Sequence, residues 1–205
     1  MLLTALEYLG LFAFAASGAL AAVRARLDVF GVIVVGLTTA LGGGVIRDVL
    51  LGIHPPTTLR NWPYLAVCAA TALLVFVFHP QIARLRRAVL LADALGLGVF
   101  ATAGTTIALD TGAPVYAACL IGMTTGIGGG AVRDLLLREI PLVLRKEIYA
   151  VAALAGAVLV GIGHVLRLPS GPVTVVAAAA VVAVRMVALW RRGNAPVARG
   201  ADPAP

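Results

Sequence analysis

The stretch GGGVIRDVLL occupies residues 42–51, and 86 residues later GGGAVRDLLL occupies 128–137. The match extends upstream without a gap. Leu9-Gly10-Leu11 aligns with Leu95-Gly96-Leu97, Phe14-Ala15 with Phe100-Ala101, and Gly18 with Gly104. Gly36 aligns with Gly122, Thr38-Thr39 with Thr124-Thr125, and Glu7 with Asp93. Downstream, Pro55 meets Pro141 and Arg60 meets Lys146. Shared apolar composition does not produce an ungapped correspondence of this kind. Self-similarity at a fixed period therefore organises the chain.

The repeat lies in an apolar background. Of 205 residues, 61% are hydrophobic and 12% charged, against about 45–50% and about 25% in soluble domains. Mean hydropathy is +1.03. This composition excludes an ordinary soluble enzyme and a disordered chain, which needs low hydrophobicity and high charge. A membrane-spanning helix needs about 20 apolar residues. Seven such runs are present, at 2–23, 29–51, 62–79, 88–109, 113–137, 148–166 and 170–190. Stretches such as VYAACLIGM do not alternate as barrel strands do. The predicted fold class is an all-α polytopic membrane protein. The first run lacks the basic flank of a signal peptide, and its mid-chain partner places it in the mature fold.

The net charge of +7 reflects topology rather than nucleic-acid binding. Arg24 and Arg26 follow run 1; Arg84, Arg86 and Arg87 precede run 4; Arg138, Arg145 and Lys146 separate runs 5 and 6. Arg191, Arg192 and Arg199 follow run 7, whereas the opposite side carries only Arg60 and Arg167. The positive-inside rule then puts the N-terminus outside and the C-terminus in the cytoplasm.

Each copy of the repeat holds three spans, so the second copy enters the membrane from the opposite side. This predicts an inverted-topology pair: residues 1–83 and 84–167, then a seventh helix at 168–192 and a disordered tail at 193–205. Cys68 and Cys119 lie in apolar runs and read as small buried hydrophobes. His54, His79 and His164 fall at span ends.

Three glycines in each of runs 2 and 5 are the candidate functional feature: Gly42, Gly43 and Gly44, and Gly128, Gly129 and Gly130. Each costs about 1 kcal/mol relative to Ala inside a helix, so the triplets predict kinked or broken helices. Interrupted helices in matching halves point to a transport site. Close helix packing through small-xxx-small ladders is compatible with this. Carbonyls at a break, with Thr38, Thr39, Thr124 and Thr125 beside it, suit a weakly held monovalent cation. Freed N–H groups beyond the break suit an anion, so a zwitterion is a further candidate. Arg47-Asp48 and Arg133-Asp134 follow the glycines. Neighbours on a helix do not face each other, which predicts that Arg47 meets Asp134 or another helix's acceptor rather than Asp48, and that Arg133 likewise meets Asp48. Glu7 and Asp93 are expected at opposite mouths, where carboxylates concentrate cations. Arg185 is expected to snorkel to the interface. No nucleotide loop, nucleophile elbow or metal-ligand spacing is present, so no enzyme activity, cofactor or tightly bound metal is expected.

With the doubled GGGxxRD, the inverted triplets and a seventh span, the chain resembles the trimeric intracellular cation (TRIC) channels, in particular their prokaryotic members. It equally resembles the bacterial membrane proteins whose repeats are called glycine-transporter domains. The resemblance covers about residues 5–190. It implies a homotrimer with one pore per protomer, potassium-favouring conduction, and kinks at Gly42–Gly44 and Gly128–Gly130 around the pore. Animal members are similar in having a basic residue and acidic lipid at the second-helix kink; here GLTTALGGG has no lysine. The Arg- and Ala-rich composition with minimal loops looks bacterial, implying the cytoplasmic membrane and contact with its lipids. Competing expectations are a carrier for glycine or another small zwitterion, and a lipid-organising membrane protein.

Overall fold

The computed structural model describes residues 2–79, 85–145 and 147–191. The chain forms α1 (Leu2–Arg24), α2 (Val29–Leu50), a single turn α3 (Thr57–Arg60), α4 (Trp62–Phe78), α5 (Leu85–Asp110), α6 (Val115–Leu136), a second single turn α7 (Leu142–Arg145), α8 (Glu147–Val165) and α9 (Ser170–Arg191). Six of these helices are long and apolar enough to cross a membrane, and α4 is a shorter apolar helix. The fold is thus an all-helical polytopic membrane protein. The expected boundary at 83/84, the tail from 193, and Arg84, Lys146, Arg192 and Arg199 lie outside the described residues.

Local chemistry ends each helix. Asp28 caps α2 by accepting from the Gly31 N–H at 2.8 Å, which satisfies an orphan donor of the first turn. Residues with positive φ stop the helices: Arg26 and Gly112 after α1 and α5, Gly52 and Arg138 after α2 and α6. The next N–H then reaches back in a Schellman pattern, as Leu27 N to Ala22 O and Ala113 N to Ala108 O.

The core is built by reciprocal contacts between positions 86 apart. Phe14 on α1 stacks on Phe100 on α5, with centroids 5.3 Å apart and planes at 11°. Gly10 leaves room for Phe100, and Gly96 leaves room for Phe14. At the centre, α2 crosses α6. A Cβ on Gly43 would run into the Thr125 carbonyl oxygen, and one on Gly129 would run into that of Thr39. Glycine is needed at both positions because another helix's backbone fills the place of the side chain.

The expectation of broken helices is overturned. α2 runs unbroken from Val29 to Leu50 and α6 from Val115 to Leu136. The intrinsic cost of the glycines is offset because they let two backbones meet. Close packing, the compatible expectation, is what the triplets achieve here.

Candidate functional site

The three glycines of each triplet do different work. Gly42 faces Val132 and Gly128 faces Ile46. Gly43 and Gly129 form the crossing. Gly44 makes room for Thr58 of α3, and Gly130 makes room for Tyr149 and Asp93. The threonines beside the crossing turn their hydroxyls onto their own helices. Thr38 and Thr39 donate to Val34 O and Val35 O at 2.8 and 2.6 Å. Thr124 and Thr125 donate to Leu120 O and Ile121 O at the same two distances, 2.8 and 2.6 Å. Thr39 and Thr125 are fully buried, whereas Thr38 and Thr124 keep partial exposure. Each hydroxyl oxygen retains acceptor capacity after donating its one proton.

The Arg-Asp motifs do not cross-pair. Arg47 grips its own neighbour, with Nε and Nη2 at 2.8 and 2.7 Å from Asp48 Oδ1. Arg133 does the same to Asp134 Oδ1, at 2.8 and 2.7 Å. Helix geometry separates short neighbours, but the arginine arm is long enough to fold back around the turn. The second carboxylate oxygen then binds the following loop. Asp48 Oδ2 accepts from Thr57 N at 2.6 Å, and Asp134 Oδ2 from Leu142 N at 2.9 Å. These N–H groups open α3 and α7, so each aspartate fastens a short helix to the end of a long one. The sequence carried a hint of those turns in the matched Pro55 and Pro141, since Pro favours helix starts.

Asp93 does not sit at an exposed mouth. α5 begins at Leu85, three residues before the expected start, which carries Asp93 deeper into the span. Asp93 is wholly buried, and its Oδ1 pairs with Arg133 Nη1 at 2.8 Å. The same Nη1 donates to Ser17 Oγ on α1 at 2.6 Å, and Tyr149 Oη on α8 donates to Asp93 Oδ1 at 3.4 Å. Glu7 is half-buried and accepts from Tyr64 Oη at 2.8 Å.

Arg185 is a second residue the sequence misplaced. Rather than snorkelling, it is 1% exposed, with its guanidinium carbon 4.8 Å from the centre of the Tyr149 ring. The aromatic face attracts the cation, and Tyr149 is invisible as its partner until α8 and α9 are packed together. Ser17 and Tyr149 were likewise unpicked, because a lone Ser or Tyr in an apolar run carries no local signal.

A cavity of about 560 Å³ opens beside this cluster. Arg133 and Asp134 form its inner wall, and Arg24, Arg138 and Glu139 line it nearer the loops. Arg24 and Glu139 approach to 3.7 Å, but both are about half-exposed, so the pair adds little stability.

Fold and site together define a helical membrane protein whose two glycine-rich helices cross at its centre, flanked by buried arginine–carboxylate clusters. The sequence-family model described as "Glycine transporter" matches residues 4–80 and again 90–165. The chain belongs to that family. A UPF0126 membrane protein of Deinococcus radiodurans is 47% identical over 154 residues, covering 74% of this chain and 72% of the relative. The UPF0126 inner membrane protein YadS of Escherichia coli K12 is 43% identical over 160 residues, 77% of each chain. Among solved structures, the TRIC trimeric intracellular cation channel orthologue from Rhodobacter sphaeroides superposes with a TM-score of 0.89. It is 35% identical, over 93% of this chain and 98% of that one.

Proposed function

We propose that the chain is a homotrimeric channel for monovalent cations that favours potassium, with one pore in each protomer lined by α2 and α6. The carrying observation is the likeness over nearly the whole chain to the Rhodobacter sphaeroides trimeric cation channel, with the glycine crossing at the centre of the fold. Chemistry favours the crossing as the conduction point. Thr38 and Thr124 offer hydroxyl oxygens from partly exposed positions, and the Thr39 and Thr125 carbonyls lie against the opposite glycines. Neutral oxygens suit a cation that must bind weakly enough to leave. Glu7 remains the candidate for a cation-attracting carboxylate at one mouth.

The reciprocal contacts support a further reading: residues 1–83 and 84–167 form an inverted pair, with the seventh helix added at 168–192. The twice-matching family model supports the same division. The inner membrane of a bacterium is the proposed location, as the description of YadS suggests. The loop arginines favour an outside N-terminus and a cytoplasmic C-terminus. Membrane lipids and like protomers are the expected partners.

The test is purified protein in planar bilayers under asymmetric KCl, followed by added glycine. Discrete steps reversing toward the potassium potential are expected. The family's own description favours a second reading, a carrier for glycine or another small zwitterion. Silent bilayers together with saturable glycine uptake into liposomes would replace the channel by that carrier.

A further inference from the structure

Among the described residues, three arginines lie buried within the spans, and two of them meet an acid at the next position. Arg47 and Arg133 each use one edge of the guanidinium, Nε and Nη2, to hold the following aspartate. Arg185 is followed by Met186. Its Nε and Nη2, the same edge, are buried and have no protein acceptor among the described residues. Asp93 Oδ2 is buried and has no protein donor there either. One side chain links the two groups. Tyr149 donates to Asp93 Oδ1 through its hydroxyl and supports the Arg185 guanidinium on its ring.

We infer that a single water-sized hydrogen-bonding molecule binds beside Tyr149, accepting from Nε and Nη2 of Arg185 and donating to Oδ2 of Asp93. Valence selects the class of ligand. Buried waters make about three hydrogen bonds to polar groups that would otherwise go unpaired, and two donors plus one acceptor is such a set. A halide or carboxylate would satisfy the arginine edge but set negative charge against Asp93. An ammonium group would satisfy Asp93 but repel Arg185. In a membrane interior, buried polar groups are held together where their bonds are made, because leaving them unmade is costly.

The bridge gives α9 a role. Asp93 holds Arg133 through Oδ1, and Arg185 steadies the same carboxylate through Oδ2. Arg185 is thus a positioning residue for the Asp93–Arg133 pair, acting from the one long helix outside the two repeats.

X-ray radiolytic footprinting of the full-length protein in detergent tests this, because a bound water generates hydroxyl radicals in place and oxidises the side chain beside it. Tyr149 is 1% exposed, so bulk radicals do not reach it. The expected result is rapid oxidation of Tyr149 in the wild type, lost in Arg185→Met, while exposed Tyr116 is oxidised equally in both. A wild-type Tyr149 that resists oxidation overturns the inference. So does a Tyr149 that is still oxidised in a folded Arg185→Met protein. Where that variant does not assemble, the wild-type result decides alone. A structural role for Arg185 without the bound molecule would leave Tyr149 unoxidised throughout.

Discussion

The two GGGxxRD segments are nearly identical in sequence, yet their arginines occupy different environments. Arg133 reaches beyond Asp134 to Asp93 on α5 and Ser17 on α1. Arg47 has only Asp48 among its side-chain ion pairs. The positions that would complete its cluster are Glu7, which bonds Tyr64 instead, and Ala103, which stands where the other half has Ser17. Around the second arginine, four helices (α1, α5, α6 and α8) contribute polar side chains; around the first, the motif closes on itself and its loop. The α2–α6 crossing shows no such difference, since Gly43 and Gly129 meet equivalent carbonyls. Symmetry is kept where backbones touch and lost where side chains carry charge. A duplicated fold can therefore hold its centre fixed while its two ends specialise.

Asp93→Asn gives the largest expected effect, because it leaves Arg133 buried without its partner on α5. Breaking a buried pair in this way costs about 3–5 kcal/mol, whereas Glu7→Gln only exchanges a charged acceptor for a neutral one at a half-exposed site and costs about 1 kcal/mol. Thermal unfolding in detergent should rank them in that order, and equal losses would break the contrast between the halves. Ser17→Ala comes next. It removes a hydrogen bond to a charged group, worth about 1.5–3 kcal/mol, and its destabilisation should largely disappear in an Asp93→Asn background if the two residues serve one cluster. Full additivity would mean that they act independently.

The parts of this picture that were legible in the sequence are those carried by period and spacing. The spans follow from runs of apolar residues, and the doubled motif shows in register before any coordinate. The ion pairs were not legible. The rule that adjacent helical residues diverge describes side chains of ordinary reach, and arginine escapes it by curling back. Asp93 was misplaced because a shift of one turn at a helix start separates a solvated residue from a buried one, and apolar runs define such starts loosely. Arg185 was misread because snorkelling and burial differ only in which helix stands alongside, here α8 with Tyr149. The glycines predicted interruption because propensity counts only the cost within one helix. The compensating contact belongs to the other helix.

The crossing itself supplies the next test. Gly43→Ala and Gly129→Ala each force a methyl group against a backbone carbonyl, and overpacking of this kind costs about 1–3 kcal/mol. The two losses should match closely if the crossing is equivalent in both halves, and unequal melting shifts would carry the asymmetry of the ends into the centre.

The smallest change in stability is expected from Thr38→Val and Thr124→Val. Their hydroxyls bond only their own helices, at Val34 and Val35 and at Leu120. Such bonds are worth about 0.5–1.5 kcal/mol net, and valine keeps the shape. Conductance separates what stability does not. If these oxygens face the ion, potassium current should fall in both variants while melting barely moves, and the two should fall alike, since a file of ions passes both sites. Unchanged current in both would reduce the threonines to helix back-bonds and move the conduction point away from the crossing. A fall in only one would show that the pathway, like the arginine clusters, has abandoned the symmetry that the glycines preserve.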